Sequence, residues 1–457
     1  MTQPSVKRKT IRKQLSKVAP DFPFTVEDVL SLSKRFAEPE WLRERRLHAW
    51  QAYGQLPMPT LRDEAWRRSD IRQMPSDRLA LKPVDDVSLD EELLALPGGD
   101  DRAGLLVLRP GLPPQSKGGK GLGEQGVVFC DWATAVREHE ALLREHLGSV
   151  VREDEAKFAA LAAGLTQEGA LIYVPPGVRL ESPLHTLVWA PGSGGLAATR
   201  LVVIVSQDAE LTLVHETGSP LQPQGEAAYA GIVELHVGEG AKLNFVELQH
   251  WGKHVWNFTH ERAHLERNAG IDWVFGAVGS RFTKTYADLN LAGEGAEGRM
   301  TAFYITDGEQ HLDHDTQQNH LKPHTTSDLL FKGALGNRSR SVWQGMIYVA
   351  PGAQKADGYQ MNRNLILSDD ARADSIPGLE ILADDVRCTH GATVGRLEDE
   401  PLFYLMTRGM ARETAERLLI DGFFEPILER IPLDDLRART SDMLHNKLDE
   451  LSSRGRD

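Results

Sequence analysis

Two cysteines, Cys130 and Cys388, are all that the 457 residues contain. This excludes the disulfide framework of a small secreted protein. It also excludes a four-cysteine zinc or iron–sulfur site held by this chain alone. Such sparse thiol usage suits a reducing cytoplasm. Long apolar runs are missing too: no segment approaches the ~18 uninterrupted apolar residues of a membrane-spanning helix. Positive charge is in deficit, with 52 Lys and Arg against 66 Asp and Glu, a net charge of −14 and a pI near 5.6. That balance disfavours a nucleic-acid binder, which needs a basic footprint. No G-x-x-x-x-G-K-[ST] sequence is present, so the chain is not itself a P-loop ATPase.

What is present is an ordinary globular composition, 41% hydrophobic and 26% charged, with room for two or three domains. Met1 to Leu15 is basic and acid-free, with Lys7, Arg8, Lys9, Arg12 and Lys13. It lacks the apolar core of a secretory signal and is short and serine-poor for a transit peptide, so it reads as a basic arm.

Residues 1–165 read as a helical and mixed N-terminal domain. Thr25 with Asp28 three residues on resembles a capping box, followed by the apolar face Val29, Leu30, Leu32 and Phe36. A second helix starts near Pro39 and is broken by Leu56-Pro57-Met58-Pro59-Thr60, and Trp132 to Gly148 has the pattern of another.

From 166 to 395 the texture becomes mostly β. Short β-branched runs such as Leu201-Val202-Val203-Ile204-Val205 recur between similar turns, whose alanines stand at Ala209, Ala241, Ala269 and Ala296. Their spacings of 32, 28 and 27 predict a solenoid, a right-handed parallel β-helix of irregular coil length. A Greek-key β-sandwich is the alternative. Residues 396–457 are helical again: Glu398 to Arg408 ending at Gly409, Ala411 to Arg430 with a kink expected near Phe424 from Pro426, and Asp434 to Leu451. Helical regions on both sides read as covers for the solenoid's ends, where backbone is left unpaired.

Three motifs have chemical readings. Gly121-Leu122-Gly123-Glu124-Gln125-Gly126 matches G-x-G-x-x-G, but the apolar run Val127-Val128-Phe129 follows where a helix N-terminus is required. His260-Glu261-Arg262-Ala263-His264 matches the zinc-protease H-E-x-x-H, yet it lies among strand-like runs. On a strand Glu261 would face away from both histidines. The surrounding clusters, His250, His254, His260 and His264, then His311, His314, His320 and His324, read as surface or coil-stacking residues. In Cys388-Thr389-His390-Gly391, positions 388 and 390 share one face of a strand, placing a thiol beside an imidazole. The pair suits iron, copper or zinc but cannot fill a coordination shell, so a second chain would have to supply the remaining ligands.

The run Tyr359-Gln360-Met361-Asn362-Arg363-Asn364-Leu365-Ile366-Leu367-Ser368-Asp369-Asp370-Ala371, with Pro377-Gly378-Leu379-Glu380-Ile381 and Ala383 to Gly395, closely resembles the SufB/SufD family of iron–sulfur cluster assembly scaffolds. Supporting stretches are Leu402 to Leu405, His311 to Thr316 and Thr325 to Leu335. Leu56 to Thr60 and Glu64 to Asp70 resemble the SufD branch. SufB-type chains carry a cysteine where this chain has Ala371, and a glutamate where it has Gly391.

The resemblance implies a β-helix core flanked by helices and a non-catalytic subunit. It implies a SufB-type partner in a heterodimer and a SufC-type ATPase that hydrolyses ATP. His390, then Cys388, would be interface ligands for iron or a cluster held transiently with SufB and not bound tightly by this chain alone. Leu418, Leu419, Phe423, Phe424, Ile427 and Leu428 are the candidate ATPase-docking positions. The rivals are a self-associating homodimeric metal scaffold and a β-helix carbohydrate-active enzyme, with a zinc protease using His260 and His264 behind them.

Overall fold

The computed structural model describes residues 18–82, 102–220, 225–431 and 433–454. The basic arm Met1–Leu15 lies outside them. Each coil of the central region closes with the same two-residue device. A residue in the left-handed conformation, Asp208, Gly240, Asn268, Gly295, His324 or Lys355, precedes a small buried one, Ala209, Ala241, Ala269, Ala296, Thr325 or Ala356. Gly, Asn and Asp tolerate positive φ best, which is why the first members of this column are drawn from them.

The backbone stacks as a ladder at this turn. The amide of Lys242 donates to the carbonyl of Ala209, Gly270 to Ala241, Glu297 to Ala269, Thr326 to Ala296, Asp357 to Thr325 and Arg387 to Ala356. The alanine spacing in the sequence is therefore the coil repeat itself. It runs two coils further than the alanines show, because Thr325 replaces one of them.

Strands from β4 (Glu168–Val174) to β19 (Arg387–Gly395) alternate between two sheets, even-numbered strands in one and odd-numbered in the other. All pair in parallel with the strand one coil away, giving a β-solenoid of about eight turns. This excludes the sandwich, whose hairpins would pair antiparallel. The inward faces carry one continuous apolar core, from Leu201 and Leu213 through Phe245 and Trp273 to Phe331 and Trp343.

One end of the solenoid is closed. There β1 (Gly104–Leu108) pairs in parallel with β5 (Leu184–Trp189), and β2 (Gln115–Gly118) pairs antiparallel onto β1. β3 (Val128–Asp131) pairs antiparallel onto β4. Both terminal strands are four residues long, and β2 is exposed throughout and carries Lys117, features that discourage further pairing. The G-x-G-x-x-G segment lies between β2 and β3, with a strand after it and no helix.

The helices do not cover the ends as expected; they lie on the two outer faces. Helix α1 (Val26–Arg35) has the Thr25–Asp28 capping box, and α2 (Glu40–Gln55) ends before Leu56. The span Trp132–Gly148 is two helices rather than one, α3 (Trp132–Glu138) and α4 (Glu140–His146), interrupted at His139. Helix α5 (Lys157–Gly164) has no amphipathic period, because every one of its residues is buried. It is sandwiched between α2 and the even sheet, against Ala228, Ala230, Trp256 and Phe258.

The C-terminal helices are α6 (Asp399–Thr407), α7 (Arg412–Leu428) and α8 (Asp434–Arg454). Helices α7 and α8 pack on the odd sheet, where Val246, Leu248, Val274, Phe303 and Ile305 meet Ile420, Phe424, Ile427, Leu436 and Leu444. Pro426 does not split α7; the helix ends two residues later, so the missing amide affects only its last turn. Buried ion pairs hold α8 in place. Arg439 grips Glu216 through two hydrogen bonds of 2.6 and 2.8 Å, and Lys447 meets Asp307 at 2.6 Å.

Candidate functional site

The last coil is open. β18 (Arg372–Ile381) pairs only with β16 (Arg340–Val349), and β19 only with β17 (Asp357–Ile366). Their outer edges carry no further strand among the described residues. These edges are ten and nine residues long, against four at the closed end.

Strand register fixes which way the site residues point. His390 stands at the end of the column Leu213, Phe245, Trp273, Met300, Leu329, Gln360. The first five of these are buried in the interior core, so His390 lies on the lumen side of the last coil, where it is exposed. Cys388 ends the neighbouring column, after Ile271, Gly298, Ser327 and Gly358. The two residues share a face as the sequence predicts, roughly 7 Å apart along the strand.

A Cβ at Gly358 would sit 3.1 Å from His320 Nε2 and 3.3 Å from Cys388 Sγ, so the thiol and this second imidazole flank the same glycine. Both His320 nitrogens are engaged, at 2.8 Å from Thr325 and 2.8 Å from Ser327. Burial, aided by Asp357, pushes the Cys388 thiol pKa up. The thiol therefore holds its proton until a metal or a partner's positive charge displaces it. Cys130 lies far from this end, and burial drives its pKa up to about 12.

The H-E-x-x-H residues occupy β10 (Val255–Leu265), a strand. Glu261 points inward and is buried against Glu247, while His260 is buried on the opposite face and stacks on Tyr286 at 4.8 Å. The protease geometry is absent. The histidine clusters are mostly coil-stacking rather than surface residues: His324 is exposed, but His260, His314 and His320 are 4%, 2% and 0% exposed, and burial lowers their pKa to about 3, 3 and 4. Among the described residues, no three His, Cys, Asp or Glu side chains converge as a metal's ligands.

The Glu247–Glu261 pair gives a pH signature. Burial, followed by the neighbouring carboxylate, pushes Glu247 well up, and burial pushes Glu261 up to about 7. Unfolded, Glu261 would titrate near 4.5. The folded state thus binds the extra proton between these values. Its stabilisation is complete below about pH 4.5 and is lost as pH rises to about 7. Denaturant titrations of Glu261→Gln across this window should fall less steeply with pH than the parent's. Parallel curves would show that Glu261 stays ionised.

Folding also joins Ser69, His311, Asp313 and Lys284 under the N-terminal layer. Ser69 Oγ lies 2.9 Å from His311 Nε2 and donates to Asp313; Lys284 Nζ lies 2.9 Å from Asp313 and 2.9 Å from Asp315. The set looks like a triad, but Ser69 is 2% exposed and Lys284 is sealed beneath Trp66. It fastens the Glu64-to-Asp70 segment to the outer face of the even sheet. Nothing in the spacing of these four residues points to their meeting.

The six docking candidates divide. Phe424, Ile427 and Leu428 are buried against the odd sheet and are not available to a partner. Leu419 and Phe423 are half-buried, and Leu418 is 47% exposed. The docking candidates do not include α6, whose Phe403 and Tyr404 are 69% and 55% exposed. A signal was present there: Pro401 to Met406 make α6 apolar around most of its circumference, while among the described residues its main neighbour is helix α7.

Against known proteins, the chain matches the SUF system FeS cluster assembly SufBD core domain over residues 188–423 and the SufBD protein N-terminal region over 114–186. It is 29% identical over 428 residues to the iron–sulfur cluster assembly protein SufB of Bacillus subtilis, spanning 90% of each chain. To SufD of the same organism it is 30% identical over 428 residues, 92% of this chain and 97% of that one. A SufBD family protein of Staphylococcus epidermidis is 28% identical over 424 residues, 89% of each.

Proposed function

The chain belongs to the SufBD family of iron–sulfur cluster assembly proteins, and we propose that within it the chain is the SufD-like, non-catalytic subunit of a cytoplasmic scaffold completed by a SufB-type paralogue. The observation that carries this reading is the asymmetry of the solenoid. One end is blunted by short antiparallel strands, while the other presents two long unpaired edges with Cys388 and His390 on its lumen side.

A paralogue with the same solenoid can add its own edges there, strand to strand. Pairing would bury the exposed Leu379, Ile381, Leu382 and Val394 and bring the partner's ligands opposite His390. His390 offers an imidazole nitrogen to incoming iron. Cys388 offers sulfur once its proton is displaced, so ligation there releases a proton. Ala371 and Gly391, which stand where SufB-type chains have a cysteine and a glutamate, support a shared site rather than a self-contained one. Leu418, Leu419 and Phe423, with Phe403 and Tyr404, form the face we assign to a SufC-type ATPase. Nucleotide-driven movement of α6 and α7 would pull on the last coil, to which they connect directly.

Co-expression with SufB-type and SufC-type partners tests this reading. The three chains are expected to purify together, and His390→Ala to keep the complex while lowering cluster formation by at least about tenfold. Elution of this chain alone, or as a homodimer with unchanged edges occupied, would overturn the heteromeric reading. Unchanged cluster formation would remove His390 from the site.

A further inference from the structure

Far from the open end, between α4 and the outer face of the even sheet, lies a groove of about 530 Å³. His146, at the C-terminus of α4, projects into it beside His236 of β8 (Ala227–Val237) and His264 of β10. We propose that these three imidazoles, with Glu266 at the rim, bind one divalent transition-metal ion of the class that accepts nitrogen and carboxylate ligands, such as zinc or cobalt.

The strands supply the first part of the argument. His236 and His264 are register partners on adjacent parallel strands, so their Cα atoms are about 4.8 Å apart and their side chains leave the same face. His146 meets His236 edge to face, with ring centroids 4.7 Å apart. Imidazoles bound to one tetrahedral ion at about 2.0–2.1 Å stand with their centroids roughly 5 Å apart. The His146–His236 spacing is already that of two such ligands. The rings do not yet converge; binding needs rotation of the His146 and His264 side chains, both at the groove wall.

Electrostatics supply the second part. No Lys or Arg lines the groove, whereas Glu145 and Glu266 do; Glu234 behind it is already paired with Arg200 at 2.8 Å. A cation is therefore the ligand that its field favours. His236 Nε2 is buried without a hydrogen-bond partner, which is costly unless something occupies it.

Calorimetric titration of the untagged full-length chain with Zn²⁺ at pH 7, and the visible spectrum with Co²⁺, test the proposal. One ion per chain is expected, with a tetrahedral cobalt spectrum that lacks a thiolate charge-transfer band. His236→Ala should weaken zinc binding by more than about tenfold. His264→Gln, at a half-exposed position, should do the same if the first variant folds poorly. His445→Gln, at an imidazole of α8 paired with Asp421 and outside both sites, should leave it unchanged. Absence of stoichiometric binding, a sulfur signature, or affinity in the His236 and His264 variants equal to the parent's would overturn the assignment.

Discussion

Replacing Lys284 with alanine is expected to lower the free energy of unfolding by about 3–5 kcal/mol, the cost of breaking a buried ion pair from one side. Lys284 is 1% exposed, and its ammonium is shared between Asp313 and Asp315 and donates to the carbonyl of Ala65 at 2.7 Å. Without it two carboxylates, two residues apart on one strand, face each other in a dry layer. Asp315 already shows the strain, since burial pushes its pKa up to about 7 despite the lysine. The loss should be visible in denaturant titrations and as early proteolysis between residues 57 and 69, whose anchor is gone.

The double change Asp313→Asn with Asp315→Asn in a Lys284→Met background should recover most of the loss, because charge and partner are then removed together. A drop below about 1 kcal/mol for Lys284→Ala would mean that water reaches the cluster and screens it.

The solenoid was legible because its demand on the sequence repeats. Each coil needs a positive-φ residue followed by a small one at the same turn, and Asp208-Ala209, Gly240-Ala241, Asn268-Ala269 and Gly295-Ala296 meet it in the same words. The inward face of β19 was legible for a similar reason, since two-residue alternation alone places Cys388 with His390.

What the sequence hid are relations set by distant partners. Amphipathicity shows that α7 and α8 have an apolar side but not which surface it meets. That choice is fixed by Arg439 with Glu216 and Lys447 with Asp307, pairs far apart in the chain. For the same reason, half of the docking positions proved to be the protein's own core. The three-histidine groove was invisible too, because His146 comes from a helix and His236 and His264 from successive coils.

Introducing aspartate at both Leu379 and Ile381 is expected to leave the chain folded while weakening association with a SufB-type partner by at least about a hundredfold. The two positions occupy the inward face of β18, in register with Ile347 and Val349, which are fully buried one coil earlier. In this chain alone they are 38% exposed each, so the charges stay hydrated and stability should change by only about 0.5 kcal/mol. Once a partner coil stacks on the end, the same positions become interior, as Ile347 and Val349 are now. The carboxylates would then be buried without counter-ions, and the complex bears that penalty in full. The effect should be specific to this end. Ser116→Asp on β2, whose residues are all exposed at the blunted end, should leave association intact. Equal thermal melting of the three proteins, with the partner lost only by the Leu379 and Ile381 variant, is the expected pattern. Undiminished affinity in that variant would falsify stacking at the open end and direct the search for the interface to the helix-covered faces.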